Sequence, residues 1–416
     1  MVYLVAARAC LSFCSARRRT ALFALLNMAT FCAIWEWSPH AGLWKSLVHM
    51  APYPAMVAVH FALMKRFARA PGKRSWIAFL FPIVILVLVK YLGPVWSGVA
   101  RAAHVDPERV SFQLSLMFVG ISFMAFRLSH MVLEVRSGAL TMPTFWEVLG
   151  FGFFVPTIAV GPINPASVHF ESLRNPAPDF TPIGRCLLRI LTGTVKYLLF
   201  AGTLAHLAYR DLLLDGHPHA PGLDYVVSSV AYYLYLYCNF AGFCDIVIGA
   251  SGLLGITVIE NFDHPLIARN IKDFWSRWHI SLSNYVREVI FAPLSSALGA
   301  RWGGANVKHA IAVALLVTFI LTGVWHGAGL NFAAFGLMHG LAIVAHHYYS
   351  LFLRSHLTRD RLRRYNESAI IRVVAVVATF AFVTLSFMVF ANDMPHLKRI
   401  WELSAHLTEL RAGDLN

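Results

Sequence analysis

Long apolar runs recur through most of this chain, and short clusters of basic residues stand between them. Crossing a hydrocarbon core of roughly 30 Å takes about 20 helical residues. The clearest candidates lie near 20–37, 47–64, 76–97, 111–133, part of 184–209, 225–238, 240–258, 307–325, 330–351 and 369–391. A bilayer core offers no water to backbone N–H and C=O groups, so spanning segments must satisfy them internally as helices or closed barrels. The 416 residues are 58% hydrophobic and 13% charged, which excludes a soluble enzyme, a disordered chain and a disulfide scaffold. The expected fold is therefore an all-α polytopic membrane protein of about nine to eleven transmembrane helices, with re-entrant and amphipathic helices among them.

A formal charge of +14 could be read as a nucleic-acid footprint, but its distribution argues otherwise. Arg17, Arg18 and Arg19 form one cluster; Lys65, Arg66, Arg69, Lys73 and Arg74 form a second; Arg354, Arg359, Arg361, Arg363, Arg364 and Arg372 form a third. This is the positive-inside pattern. It places the N-terminus and these clusters in the cytoplasm of a multi-pass protein and predicts no nucleic-acid partner. Residues 1–30 lack a clean cleavable-signal pattern, so the first span is expected to stay in the mature protein. The six cysteines show neither a CxxC pair nor metal-ligand spacing and read as small apolar residues, with no metal predicted.

The run at 145–163 ends in Pro156, Gly161 and Pro162, which predicts a re-entrant segment, since broken backbone at membrane depth must be buried in protein or line a cavity. A turn-rich loop at 174–181 divides a first group of spans, 20–173, from a second, 182–391, within one membrane-embedded domain. The tail, 392–416, could carry an amphipathic helix over 394–410.

Residues 261–293 are too polar to span a membrane, yet they sit between spans. A helix over 271–290 would align Ile271, Trp275, Trp278, Leu282, Tyr285 and Val289 in one stripe, with His279 and Arg277 at its opposite borders. Composition alone fits a surface anchor with interfacial tryptophans and snorkelling arginines. Such an anchor does not need a histidine at the edge of its apolar stripe, whereas a helix tucked between spans could present one to a tunnel.

His326 and His339 lie inside nearly uncharged apolar runs, LTGVWHGAGLNFAAFGLMHG at 321–340. Intramembrane ionisable residues are functional by default. His326 precedes Gly327 and Gly329, which predicts a helix break or close-packed turn; an imidazole merely bonded across helices is the alternative. For His339, one helix further on, packing is at least as good an account. Burial disfavours the imidazolium, leaving a neutral ring that can accept a proton. With no nucleophile motif or phosphate-binding glycine loop, two histidines at a cavity favour transfer of an activated group to a hydroxyl, His326 acting as base. A proton-coupled transporter with a histidine relay is the reading from a different class, though no internal repeat supports it.

Four stretches carry a family resemblance: YYLYLYCNFAGFCDIVIGASGLLGI at 232–256, ENFDHPLIARNIKDFWSRWHISLSNYVRE at 260–288, LTGVWHGAGLNF at 321–332 and GLMHG at 336–340. In these the chain resembles the membrane-bound O-acyltransferase family, in particular the bacterial branch of the alginate O-acetylase membrane subunit and the teichoic acid D-alanyl transferase. The resemblance implies spans around a central tunnel where a cytoplasmic acyl thioester meets an extracytoplasmic acceptor. It puts the family's invariant histidine on His326 and its second on His279, 47 residues earlier. Trp275, Arg277, Trp278, Trp325 and Asn331 become candidate substrate-binding residues, with His339, Asn284 and Asp245 as candidate supporting groups. Departures exist: Asn239 replaces an expected acid, Glu288 stands where Asp is usual, and 292–296 reads APLSS rather than IPLGG.

On this resemblance the expected activity is transfer of a small acyl group, most simply acetyl, to a hydroxyl of an envelope polysaccharide or a relay protein. The co-substrate would be acetyl-coenzyme A or an acyl carrier protein, and no bound cofactor is expected. D-Alanyl transfer from a carrier-protein thioester is the alternative. Membrane lipid, the cytoplasmic donor and an extracytoplasmic acyltransferase or esterase-like protein are the expected partners, in the inner membrane.

Overall fold

The computed structural model describes residues 2–36, 51–70, 74–91, 120–175, 183–209 and 221–402. These are overwhelmingly helical, and an isolated bridge between Phe262 and Trp278 is the sole β pairing among them. The chain forms two compact units, one of Met1–Leu191 with Cys244–Ile259 and one of Thr192–Phe243 with Glu260–Asn416. Four described helical segments are long and apolar enough to cross a membrane: Ile183–His206, Leu223–Leu253, Gly304–His326 and Ala369–Ala391.

The first unit contains α1 (Val2–Phe13), α2 (Ala16–Glu36), α3 (Pro52–Phe67), α4 (Ser75–Tyr91), α5 (Ile121–Ser137), α6 (Phe145–Gly152), α7 (Ala166–Arg174) and the start of α8 (Ile183–Thr194). The interrupted run at 145–163 is α6, a single turn Val155–Ile158, and an extended stretch leading to α7. Leu149, Phe151, Phe153, Phe154, Ile158 and Ile163 within it are all buried. Its freed backbone groups find side-chain partners, as broken backbone in an apolar setting requires. Arg127, 1% exposed, donates to the Gly152 carbonyl at 3.2 Å and to Thr157 Oγ1 at 2.6 Å. Asn27 Oδ1 accepts the Val155 N–H at 2.9 Å.

Carboxylates close the helix starts nearby. Glu134 accepts the N–H of Ala166 at 2.8 Å and that of Ser167 at 3.2 Å, satisfying the first turn of α7 and opposing its dipole. Thr144 and Glu147 form a capping box on α6, and Arg174 donates to Glu147 at 2.6 Å. Asn164 receives the Ile259 N–H at 3.0 Å and donates to the Thr257 carbonyl at 2.9 Å, holding the end of this unit's second segment.

From Thr194 the helix continues through a π-helical stretch, Val195–Phe200, to Ala201–His206. The two spans expected at 225–238 and 240–258 are instead one helix, α9 (Pro221–Leu253). Its polar middle does not break it, because no proline lies within 222–253 and Gly242 serves close packing. A Cβ there would come within 2.7 Å of the Gly193 carbonyl oxygen and 2.8 Å of the Tyr197 nitrogen. The turn comes only at Gly255, with φ 75°.

The rest of the second unit comprises α10 (Ile271–Arg277), α11 (Ile280–Val286), a π-helical stretch Arg287–Phe291, α12 (Ala292–Trp302), α13 (Val307–His326), α14 (Leu330–His356), α15 (Arg359–Glu367) and α16 (Ala369–Ala391). The helix expected over 271–290 is therefore broken at Trp278 and His279. α13 and α14 meet backbone to backbone: a side chain at Gly323 would strike the Phe332 carbonyl and the Gly336 backbone. The aromatic core gathers Tyr233, Phe274, Trp275, Trp278, Phe335 and Phe387. The tail is helical from 394 to 402, and the rest of the expected helix, like most of the 174–181 loop, lies outside the described residues.

Candidate active site

α10 begins at Asn270, whose side chain accepts the Asp273 N–H at 2.9 Å. It ends where Trp278 turns extended, with φ −108° and ψ 127°. The chain at 261–263 runs antiparallel to this exit: the Asp263 N–H donates to the Arg277 carbonyl at 3.0 Å, and Phe262 pairs with Trp278. A non-helical backbone beside the break thus supplies the partners that a continuous helix would have provided itself.

His279 follows with φ 46° and ψ 53°, the left-handed region that costs an L-residue roughly 1–2 kcal/mol. Only His264 shares such a conformation among the described non-glycine residues. The Asn261 carbonyl accepts the Ile280 N–H at 3.0 Å, and Asn261 Oδ1 accepts the Ser281 N–H at 3.0 Å. These bonds cap α11 and over-determine the strained residue in front of it. Asn261 is completely buried.

The His279 ring is buried edge-on against Phe240, with centroids 4.8 Å apart. Its Nδ1 finds no hydrogen-bond partner among the described residues. Burial, reinforced by the neighbouring His326, pushes its pKa down to about 3, so the imidazole is neutral at physiological pH. An unpartnered polar atom in such a place is costly for folding alone.

His326 ends α13 and is half-buried, with Trp325 at 4.6 Å, Phe390 at 5.1 Å and Phe335 at 6.2 Å between ring centroids. Gly327 and Gly329 allow the following turn, because a side chain at Gly327 would enter the Phe332 ring and one at Gly329 would meet Asn331 Oδ1. Asn331 donates to the Phe390 carbonyl at 3.1 Å, so Phe390 joins His326 to the start of α14.

His339 has a different setting. Trp275 Nε1–H donates to its Nδ1 at 3.1 Å, which leaves the proton on Nε2 to be donated to Ser386 Oγ at 2.8 Å. Ser386 donates onward to the Val383 carbonyl at 2.8 Å. Both ring nitrogens are occupied and the tautomer is fixed.

The structure thus gathers His279, His326, His339, Trp275, Trp278, Trp325 and Asn331 in the second unit. Trp275 and Trp278 are buried core residues there, Trp278 stacked on Phe274 at 5.5 Å. Arg277 is ion-paired to Asp273 at 2.8 Å and donates to the Asp263 carbonyl at 3.2 Å, while Asn284 accepts from Arg287 at 3.0 Å. Asp245 belongs to the first unit, in an ion pair with Arg189 at 3.1 Å. The sequence did not single out Asn261, Phe240 or Ser386. Asn261 stands in a stretch that was noted, but its role depends on a contact 20 residues away.

Comparison with known proteins adds a lineage. The model of the MBOAT family, membrane-bound O-acyltransferase, matches residues 20–388. The teichoic acid D-alanyltransferase of Streptococcus thermophilus is 28% identical over 403 residues, 92% of this chain and 91% of that protein. The peptidoglycan O-acetyltransferase of Helicobacter pylori is 31% identical over 263 residues, 62% of this chain and 46% of that protein. A probable alginate O-acetylase of Pseudomonas syringae is 30% identical over 229 residues, 54% of this chain and 42% of that protein. The similarity thus spans less than half the length of these two acetyl-transferring relatives.

Proposed function

Since the chain belongs to the membrane-bound O-acyltransferase family, we propose that it moves a small acyl group, acetyl in the first instance, from a cytoplasmic thioester to a hydroxyl. The acceptor would be an envelope polysaccharide outside the inner membrane, or a relay protein that serves one. The observation that carries this reading is the pairing of two histidines. His326 lies half-buried at a helix break, in the same unit as a buried His279 whose Nδ1 has no partner among the described residues.

In this reading His326 takes the acceptor's hydroxyl proton as its oxygen attacks the thioester carbonyl. The carbon–sulfur bond then breaks, the new ester leaves, and the proton passes to the departing thiolate. His279 positions or polarises the thioester, and the aromatic surroundings keep water from competing as acceptor. Trp325 and Asn331 shape the approach to His326, Trp275 and Trp278 hold the aromatic core together, and His339, Arg277 and Asn284 have supporting roles.

The test is acyl transfer from labelled acetyl-coenzyme A by the purified protein in proteoliposomes, compared with H326A. Loss of transfer in a variant that elutes and unfolds like the parent supports the reading. Undiminished transfer overturns the role of His326.

D-Alanyl transfer from a carrier-protein thioester is the second reading, favoured by the relative matched over nearly its whole length. Offering acetyl-coenzyme A and a D-alanyl carrier thioester to the same preparation separates the two.

A further inference from the structure

The polar side of α10 opens on a cavity of about 700 Å³ whose other walls come from α14, α15 and α16. The proposed reaction chemistry makes no use of it. Four cations line it, Arg269, Lys272, Arg354 and Arg372, against one acid, Asp273. That acid is already engaged: its Oδ1 accepts Arg277 Nε at 2.8 Å, and its Oδ2 accepts the Arg269 N–H at 2.9 Å and lies 3.8 Å from Arg269 Nε. Among the described residues, no carboxylate comes within 4.0 Å of a side-chain nitrogen of Lys272, Arg354 or Arg372. Three cations from three different elements therefore border one concavity, none of them paired with a carboxylate among the described residues.

Exposed cations on a convex surface are simply hydrated. Around a concave space they reinforce one another's potential and draw in an anion. The volume is that of a small-molecule site, larger than a single inorganic ion fills. Two of the three unpaired cations are guanidinium groups, whose planar forks match phosphate oxygens in pairs. Neutral hydrogen-bonding groups complete the wall: the Tyr349 and Tyr365 hydroxyls meet at 2.9 Å, and Ser350 lies beside them.

We propose that this cavity, bordered by Lys272, Arg354 and Arg372, is a binding site for phosphate esters carrying at least two negative charges. A soluble nucleotide-like phosphate and the headgroup of an anionic phospholipid share that chemistry, and the experiment separates them. Binding is the readout, so the outcome is independent of whether the protein transfers acyl groups.

The full-length protein in detergent is titrated calorimetrically with inorganic pyrophosphate and with adenosine diphosphate. In parallel, phosphatidylglycerol and phosphatidylcholine retention is compared by native mass spectrometry. The variant K272Q/R354Q/R372Q removes the three cations, and R301Q removes one outside the cavity. All four side chains are exposed, so unfolding temperatures should match the parent. Each lost charge-assisted contact should weaken binding about tenfold, with R301Q unchanged. Binding of the soluble phosphates that the triple variant loses supports a soluble ligand; selective phosphatidylglycerol retention that it loses supports a lipid. The proposal is overturned if neither class binds the parent, or if the triple variant binds as the parent does.

Discussion

Asn261 accepts the N–H of Ser281 through its side chain at 3.0 Å, while its carbonyl accepts that of Ile280 at the same distance. Together these bonds hold His279, the residue just before them, at a positive φ. Removing the side-chain acceptor leaves a buried N–H unsatisfied, which costs about 1–3 kcal/mol. Asn261→Ala should therefore unfold earlier than the parent and transfer acyl groups at least about tenfold more slowly, because His279 is free to relax. Asn261→Asp keeps an acceptor oxygen in place and should recover part of both losses. Thermal unfolding in detergent and turnover in proteoliposomes report the two effects separately.

Backbone and ring at position 279 can be distinguished by two truncations. His279→Gly and His279→Ala both delete the imidazole and should lose transfer alike. Glycine adopts the left-handed conformation without the Cβ penalty, so His279→Gly should be the more stable of the pair by about 1 kcal/mol. Equal unfolding midpoints would show that position 279 abandons its positive φ once the ring is gone.

The bonding of His339 predicts a structural phenotype. His339→Ala empties a fully buried position and strands the indole N–H of Trp275, a combination worth about 2–5 kcal/mol. Ser386→Ala removes only the outer partner and should cost about 1 kcal/mol. Transfer per folded molecule should survive in Ser386→Ala. A severe loss of transfer there without a loss of stability would place this bonded chain in the reaction itself.

Acid should weaken the protein partly through His279. The unfolded imidazole titrates near its ordinary value of 6.5, whereas the folded one takes its proton only near 3. Between these values the unfolded chain binds more protons, so stability rises with pH across the window and this contribution is complete above 6.5. His279→Gln, which cannot take up that proton, should show a shallower fall in unfolding temperature from pH 6.5 to pH 4. Parallel curves for the two proteins would mean that other groups govern acid sensitivity.

The legible part of the sequence was the part written in local terms. Apolar run length located α13 and α16 almost to the residue, and the glycines after His326 marked a true break. The FW-x-RWHISLS and WHG blocks identified the family, which the match over residues 20–388 bears out. The break at His279 was not legible, because stripe periodicity continues through it and the partner that stabilises it sits at Asn261. The same blindness split α9 in two: Asn239 looked like the end of a span, but Gly242 lets the helix press against 193–197 and continue. Arg277 looked poised for substrate because the sequence could not show that Asp263 and Asp273 both engage it. In each case the deciding contact was distant in the chain or hidden by regular spacing.

The contact between Gly323 and Gly336 is made by main chain alone. Side chains can swap rotamers to accommodate a sliding neighbour, but two abutting backbones have no such slack. The hairpin of α13 and α14 should therefore act as a fixed post, with His326 set three residues beyond the point of contact. Phe390 meets that imidazole from α16, with ring centroids 5.1 Å apart. Its aromatic side chain keeps the rotamer freedom that the backbone contact lacks.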